Sequence, residues 1–219
     1  ASNQAWPPQW QNDLAAAYMN RGLALYNQGE LAQAVADSGR AIEFQEKLRQ
    51  SLAASNQAWP PEWQNSLAAA YINRGLALDS QGELAQAVAD YGRAIESMEK
   101  LLFIQTFIPV VPDLAIAFYN LLLLEQRENL PAQCQPEEWR KQAAAFLQRL
   151  EQMVDVSHMP QHWRKNVEKL RGLLHRNSGL KINWLRLILL GPIRLSLWLI
   201  ALPFIIARWI ILRLRNKKG

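Results

Sequence analysis

Apolar and small residues recur at helical spacing through the first hundred positions. Trp10, Leu14, Tyr18, Gly22 and Leu25 share one face of a helix that follows Pro7-Pro8 and runs to about Tyr26. Leu31, Ala34, Val35, Ser38, Ala41, Ile42, Gln45 and Leu48 mark the inner stripe of a second helix. Asn27-Gln28-Gly29 divides the two, with Gly29 suited to a left-handed cap. Glu30 then stands where the next helix dipole favours negative charge. The whole pattern returns 53 residues later. Ala1–Leu48 matches Ala54–Leu101 at all but eight pairs: Gln9/Glu62, Asp13/Ser66, Met19/Ile72, Tyr26/Asp79, Asn27/Ser80, Ser38/Tyr91, Phe44/Ser97 and Gln45/Met98. A fixed period of this size predicts helix pairs that stack on one another, because one pair cannot bury its apolar face alone.

Each unit opens with Trp-Pro-Pro-x-Trp, at Trp6–Trp10 and Trp59–Trp63. Proline suits the first turn of a helix, where its missing N–H has no partner to lose. The tryptophans then read as a staple over the first turn and as packing between units. Gly22 and Gly75 lie inside helices, where glycine costs roughly 1 kcal/mol relative to alanine. Together with Ala34 and Ala41 they predict close approach of the paired helices. After Leu101 the copies diverge. Arg49-Gln50-Ser51 in the first becomes Leu102-Phe103-Ile104 in the second, an apolar end that something must cover. Asp113–Asn120 aligns with Asp13–Asn20, with Leu122 in place of the close-packing glycine. This predicts a degenerate third unit whose second helix runs from Pro136 to about Val154 after a loose loop at 129–135. The expected organisation is repeat 1 (1–53), repeat 2 (54–106), a degenerate third repeat (107–156), a basic helix (157–179) and a hydrophobic segment (180–219).

The order Ala-x-Tyr-x-Asn-x-Gly-x-Ala-Leu, then Gln-Gly, then Ala, then Ala-Ile-Glu resembles the tetratricopeptide repeat, and it occurs twice. The small-residue signature falls on Gly22, Ala34 and Ala41, and on Gly75, Ala87 and Ala94. The fold class implied is all-α: antiparallel helix-pair repeats forming a tetratricopeptide-like solenoid, then a capping helix and a C-terminal hydrophobic helix. The resemblance also implies that the first helix of each unit lines a concave groove for a protein or peptide partner. That groove would present Met19, Asn20, Leu23 and Tyr26; Ile72, Asn73, Leu76 and Asp79; and Ile116, Tyr119, Asn120, Leu123 and Arg127. Asparagine both donates to and accepts from a peptide backbone. The row Asn20, Asn73, Asn120 either holds such a segment or bonds within its own helix pairs. The period departs from the usual 34 residues of the family, Leu23 and Leu76 stand where many members carry asparagine, and the usual closing proline is absent. With Met19 and Leu23 at the places of a Lys/Asn clamp for acidic C-termini, that clamp is not expected.

Charge divides the chain. Residues 1–138 carry 8 Lys/Arg against 16 Asp/Glu, and residues 139–219 carry 16 against 3. The basic helix contributes Arg164, Lys165, Lys169, Arg171 and Arg176 and leads into a very apolar stretch. Residues 187–207 hold 21 residues with Arg194 as the only charge, long enough to span a bilayer. On one helix, Arg186, Arg194, Arg208 and Arg215 fall in a narrow stripe, which also suits an in-plane helix whose arginines reach the headgroups. Trp184, Trp198 and Trp209 are candidate interfacial anchors, and Arg213 adds to the basic flank. The segment is therefore expected to span, to lie in-plane or re-enter, or to be a buried soluble helix. Both flanks are basic, so the repeats are expected on the cytoplasmic side of a membrane with anionic lipid. Anionic lipid explains the basic rear better than nucleic acid, which is not an expected partner.

No catalytic constellation stands out, and no enzyme activity, cofactor or metal is expected. His158 and His162 have helical ligand spacing, but Pro160 breaks their shared face. Cys134 is the only cysteine and has no evident paired base. The single cysteine excludes an intrachain disulfide, which fits a reducing compartment. Ala1 falls inside a repeat linker, so further units are expected upstream. The pattern sets no oligomeric state. Two functions fit: a membrane-attached scaffold that positions a protein partner, or a membrane-active effector whose Arg-striped end forms a pore or perturbs lipid while the repeats act as sensor.

Overall fold

The structure, a computed structural model, describes residues 6–177. Within them lie seven α-helices and no strand: α1 (Pro8–Asn27), α2 (Leu31–Ala54), α3 (Pro61–Gln81), α4 (Leu84–Phe103), α5 (Val111–Leu123), α6 (Pro136–Met153) and α7 (Gln161–Asn177). The turns between paired helices are three residues or fewer, which forces antiparallel packing. Gly29 and Gly82 make those turns with φ of 82° and 83°, the left-handed conformation that favours glycine.

The chain folds as an all-α solenoid of stacked helix pairs. α1 packs on α2, α2 on α3, α3 on α4 and α4 on α5. Pairing is close because glycine permits it. A Cβ on Gly22 would stand 2.8 Å from Ser38 Oγ, and one on Gly75 would stand 2.8 Å from Cε1 of Tyr91. The α2 stripe is buried at Ala34, Ser38, Ala41, Ile42, Gln45 and Leu48, with Leu31 and Val35 half-buried.

Beyond α4 the stacking changes. α5 meets α7 more extensively than it meets α6, the helix expected as its partner. The reason lies in α7: Val167, Leu170 and Leu173 form a buried apolar stripe along the otherwise basic helix. α6 contributes Phe146, stacked on Phe118 of α5 with ring centroids 5.5 Å apart. The main core therefore lies between α3 and α7, around Tyr91, Met98, Leu101, Leu114, Phe118, Leu122 and Leu150. A smaller cluster of Ala41, Ile42, Leu67 and Ala70 fills the α2–α3 seam. At the apolar end of α4, Leu102 is fully buried and Phe103 lies under the Arg149 guanidinium at 3.6 Å. Ile104, expected to be covered with them, is 76% exposed.

The tryptophan motif behaves differently in its two copies. Trp59 and Trp63 are half-buried and meet edge to face at 5.7 Å, on a helix that packs against α2. Trp6 and Trp10 are 58% and 60% exposed. Among the described helices, Ile108–Gln126 is apolar enough to cross a membrane by length and composition, with a mean hydropathy of 1.5. It contains α5, whose Leu114, Phe118, Leu121 and Leu122 are buried in the protein core. The candidate membrane residues Trp184, Arg186, Arg194, Trp198, Arg208, Trp209, Arg213 and Arg215 lie outside the described residues.

Candidate functional site

Helix α1 adjoins α3 and α3 adjoins α5, while α2 and α4 form the other layer. The sequence-derived site residues fall along α1, α3, α5 and the turn that follows α5. Asn20, Leu23 and Arg127 are exposed. Met19, Tyr26, Asn73, Leu76, Asp79, Ile116, Tyr119 and Leu123 are half-buried. Ile72 and Asn120 are 5% and 8% exposed. Ile72 belongs to the main core, and Met19 packs on the small cluster at the α2–α3 seam. Leu76, Ile116, Tyr119 and Leu123 also pack on the main core while keeping part of their surface open, and Leu23 is the exposed apolar residue of the row.

The asparagine row is poorly engaged by the protein itself. The buried Nδ2 of Asn120 has no hydrogen-bond partner among the described residues. The Asn20 and Asn73 side chains make no hydrogen bond among them either. An amide with both donors and acceptors free at a surface can bridge two groups of an extended backbone. A buried amide donor left unpaired costs about 1–3 kcal/mol.

At the far end of this face, four polar groups from three units converge. Asp79 Oδ1 pairs with Arg127 Nη2 at 2.8 Å. The Tyr91 hydroxyl, buried and unpartnered among the described residues, lies within electrostatic reach of Asp79, Tyr26 and Arg127. Burial, with Asp79 adding to it, pushes the Tyr91 phenol far above its ordinary range, so it stays a neutral donor. The contact with Asp79 raises the Arg127 guanidinium further above its ordinary range, so it stays charged. Sequence reasoning missed Tyr91. The signal was present in the eight differing pairs, two of which, Tyr26/Asp79 and Ser38/Tyr91, meet here.

A second polar arrangement occurs once in each full unit and also escaped the periodicity. Arg74 forks Asp90 through Nε at 2.6 Å and Nη2 at 2.7 Å. Arg21 forks Asp37 in the same way, with Nη2 to Oδ1 at 2.8 Å. Both aspartates are nearly fully buried. Arg93 and Arg40 stand 3.8 Å from the same carboxylates. Each arginine pair also flanks a tyrosine ring: Arg21 and Arg40 lie 5.4 and 5.6 Å from Tyr18, and Arg74 and Arg93 lie 5.5 and 5.6 Å from Tyr71. The fork to Arg21 holds the Asp37 carboxyl below the usual carboxylate range. These groups are saturated by one another, so they clamp first helix to second rather than offering a vacant site. The detectable signal was an Arg–Asp separation of 16 residues repeated in both copies.

Catalytic or metal chemistry has little to build on. No cluster of three or more His, Cys, Asp or Glu among the described residues could hold a metal ion. His158 Nδ1 lies 2.8 Å from Asp155 Oδ2, and His162 meets the Trp163 ring edge-on. Cys134 is free and half-buried, and burial pushes its thiol up, away from the reactive thiolate. The face of α1, α3 and α5 carries the Asn20 and Asn73 amides, without side-chain hydrogen bonds among the described residues, between partly exposed apolar side chains. A family model described as tetratricopeptide repeat matches residues 14–49 and 67–102. Neither the curated proteins nor the solved structures yield a match to the chain.

Proposed function

We propose, from the premise that this chain is a tetratricopeptide-repeat protein, that it holds a protein partner on the inner face of α1, α3 and α5. Repeats of this family serve as protein-interaction scaffolds, and the two intact copies here carry that role. The observation that carries the finer reading is the asparagine row: Asn20 and Asn73 face outward without hydrogen bonds, and Asn120 has an orphaned buried amide. An extended or helical segment from the partner would satisfy these amides while resting on Leu23, Leu76, Ile116 and Leu123. Arg127 at the end of the row, balanced by Asp79, offers a charged stop.

The apolar residues 187–207, flanked by basic residues, support attachment to a membrane with anionic lipid. The scaffold then works at that membrane, with its repeats on the cytoplasmic side. Capture by the immobilised full chain tests the groove. Asn73→Ala should retain the melting temperature and lose at least about five-fold in partner recovered, the loss of roughly one net hydrogen bond. Unchanged recovery rejects the groove. The rival reading, in which the Arg-striped end perturbs lipid, is separated by dye release: the scaffold binds anionic vesicles without leakage, and leakage would favour the rival.

A further inference from the structure

The two seams between units present the same surface on one side and different surfaces on the other. On α2, Gly39 faces the next unit, and a Cβ built there would lie 3.9 Å from Nη1 of Arg74. Arg74 thus fills the α2–α3 seam while forking Asp90 and lying over the Tyr71 ring. α4 repeats the α2 face, with Gly92 at the place of Gly39 and Glu96 and Glu99 at the places of Glu43 and Glu46. The helix opposite has changed. α5 brings Leu121 where α3 brings Arg74, and Phe118 where α3 brings Tyr71. Phe118 turns into the core against Phe146, and Leu121 is too short to reach across. Nothing among the described residues lies within 4 Å of a Cβ placed on Gly92.

The vacated space is a cavity of about 700 Å³ between α4 and the start of α6. Gly92 and Leu121 line its floor, Trp139 supplies an aromatic wall, and Glu96, Glu99 and Glu138 supply three carboxyls. No lysine or arginine among the described residues lines it. Lys100 and Lys141 draw on Glu96 and Glu138 at 2.7 and 3.6 Å, and Arg149, which acts on Glu99 electrostatically, is spread over Phe103. Burial raises the Glu99 carboxyl above its ordinary range, the penalty of a carboxylate that lacks a close partner.

We propose that this cavity is a binding site for the guanidinium group of an arginine presented by a protein partner. The chain itself supplies the steric precedent: in the preceding seam the guanidinium of Arg74 lies over Gly39 and the Tyr71 ring, with its charge met by Asp90. The carboxyls complement its charge, and a planar fork serves two acceptors where an ammonium serves one point. Trp139 adds an aromatic ring to the lining, a partner suited to a guanidinium. The site lies on the α4–α6 side of the molecule and does not depend on the asparagine row.

Cys134 lines the same cavity and is the only cysteine, so its modification rate reports occupancy. The full chain in neutral detergent is treated with a thiol reagent while a blocked Ala-Arg-Ala peptide is added, with lysine and citrulline versions alongside. The arginine peptide should slow modification and saturate. The lysine peptide should need at least about three times the concentration, and the citrulline peptide should leave the rate unchanged. Gly92→Leu, which fills the cavity from an open helix position, should abolish protection with no loss of melting temperature. Glu99→Gln should weaken the arginine peptide roughly ten-fold. Asn73→Ala should leave it intact, which keeps this site distinguishable from the inner face. Equal protection by citrulline, absence of protection by arginine, or undiminished protection in both Gly92→Leu and Glu99→Gln would overturn the assignment.

Discussion

Arg21 and Arg74 make the same fork to a buried aspartate in unlike surroundings. The Arg21 side chain is 59% exposed and that of Arg74 is 22% exposed, because α2 covers α3 while no described helix covers α1 on the corresponding side. Removing one partner of a buried pair leaves an uncompensated charge, at a cost of about 3–5 kcal/mol when burial is complete. Arg93 stands 3.8 Å from Asp90 and softens the loss. Arg74→Met should therefore lower stability by about 2–3 kcal/mol in denaturant titration. Arg21→Met should lower it by less; equal losses would contradict the role given to burial. Acid sensitivity follows from the same groups. The Asp37 carboxyl is held down, so its contribution is present above the unfolded-state carboxylate value of about 3.9 and is lost as pH falls through the lower folded value. Glu99 and Asp113 are pushed up by burial, so protonating them removes a penalty on the way down from neutrality. Thermal melts followed by circular dichroism should hold level or rise slightly from pH 7 to about pH 5, then fall below about pH 4. Asp37→Asn should flatten the acid limb. A steady decline between pH 7 and pH 5 would show that the raised carboxyls have been misjudged.

At the level of elements, helices α1 to α4 were legible in the chain because the same apolar stripe and the same turn glycine occur twice. Gly29 and Gly82 adopt the left-handed turn that the pattern requires. Three things were not legible, each for a physical reason. The partner of α5 depends on which later helix carries the better apolar stripe, and the basic residues of α7 masked Val167, Leu170 and Leu173. The arginine–aspartate clamp joins residues one helix turnaround apart, beyond the reach of periodicity. The differing pairs between copies look like drift along the chain, yet several are coupled in space. Gln45, which is Met98 in the second copy, donates to Ser66, which is Asp13 in the first, at 3.0 Å. Tyr91 lies over Gly75 and reaches towards Asp79. Glycine positions along the helices accordingly differ in what they tolerate. Gly75→Ala gains helix propensity of about 1 kcal/mol but drives a methyl against a fully buried ring, so a net loss of about 1–2 kcal/mol is expected. Gly92→Ala meets open space and should gain about 1 kcal/mol. Melting of the two variants side by side checks the sign, and a stabilised Gly75→Ala would show that Tyr91 yields.

Across the molecule, the acidic front builds α1 to α5, and the described part of the basic rear, most of α6 together with α7, packs on α5. The largest buried side chains belong mainly to α4 through α7, so the second helix of the second copy and the helices after it supply much of the core. That division explains why the site was only partly legible. The family pattern located the row of first helices, but burial decided its members: Ile72 is withdrawn into the core, and Leu23, Leu76 and Asn73 remain accessible. The central claim is that a protein partner lies along this inner face. Site-specific photo-crosslinking in cells tests it most directly, with a benzophenone side chain placed at Leu23, at Leu76, or at Glu43 on the exposed side of α2. The account predicts one partner adduct common to positions 23 and 76, absent at 43, and reduced at least about five-fold when Asn73→Ala is added. Adducts at 43 equal to those at 23 and 76, or adducts indifferent to Asn73→Ala, would contradict it.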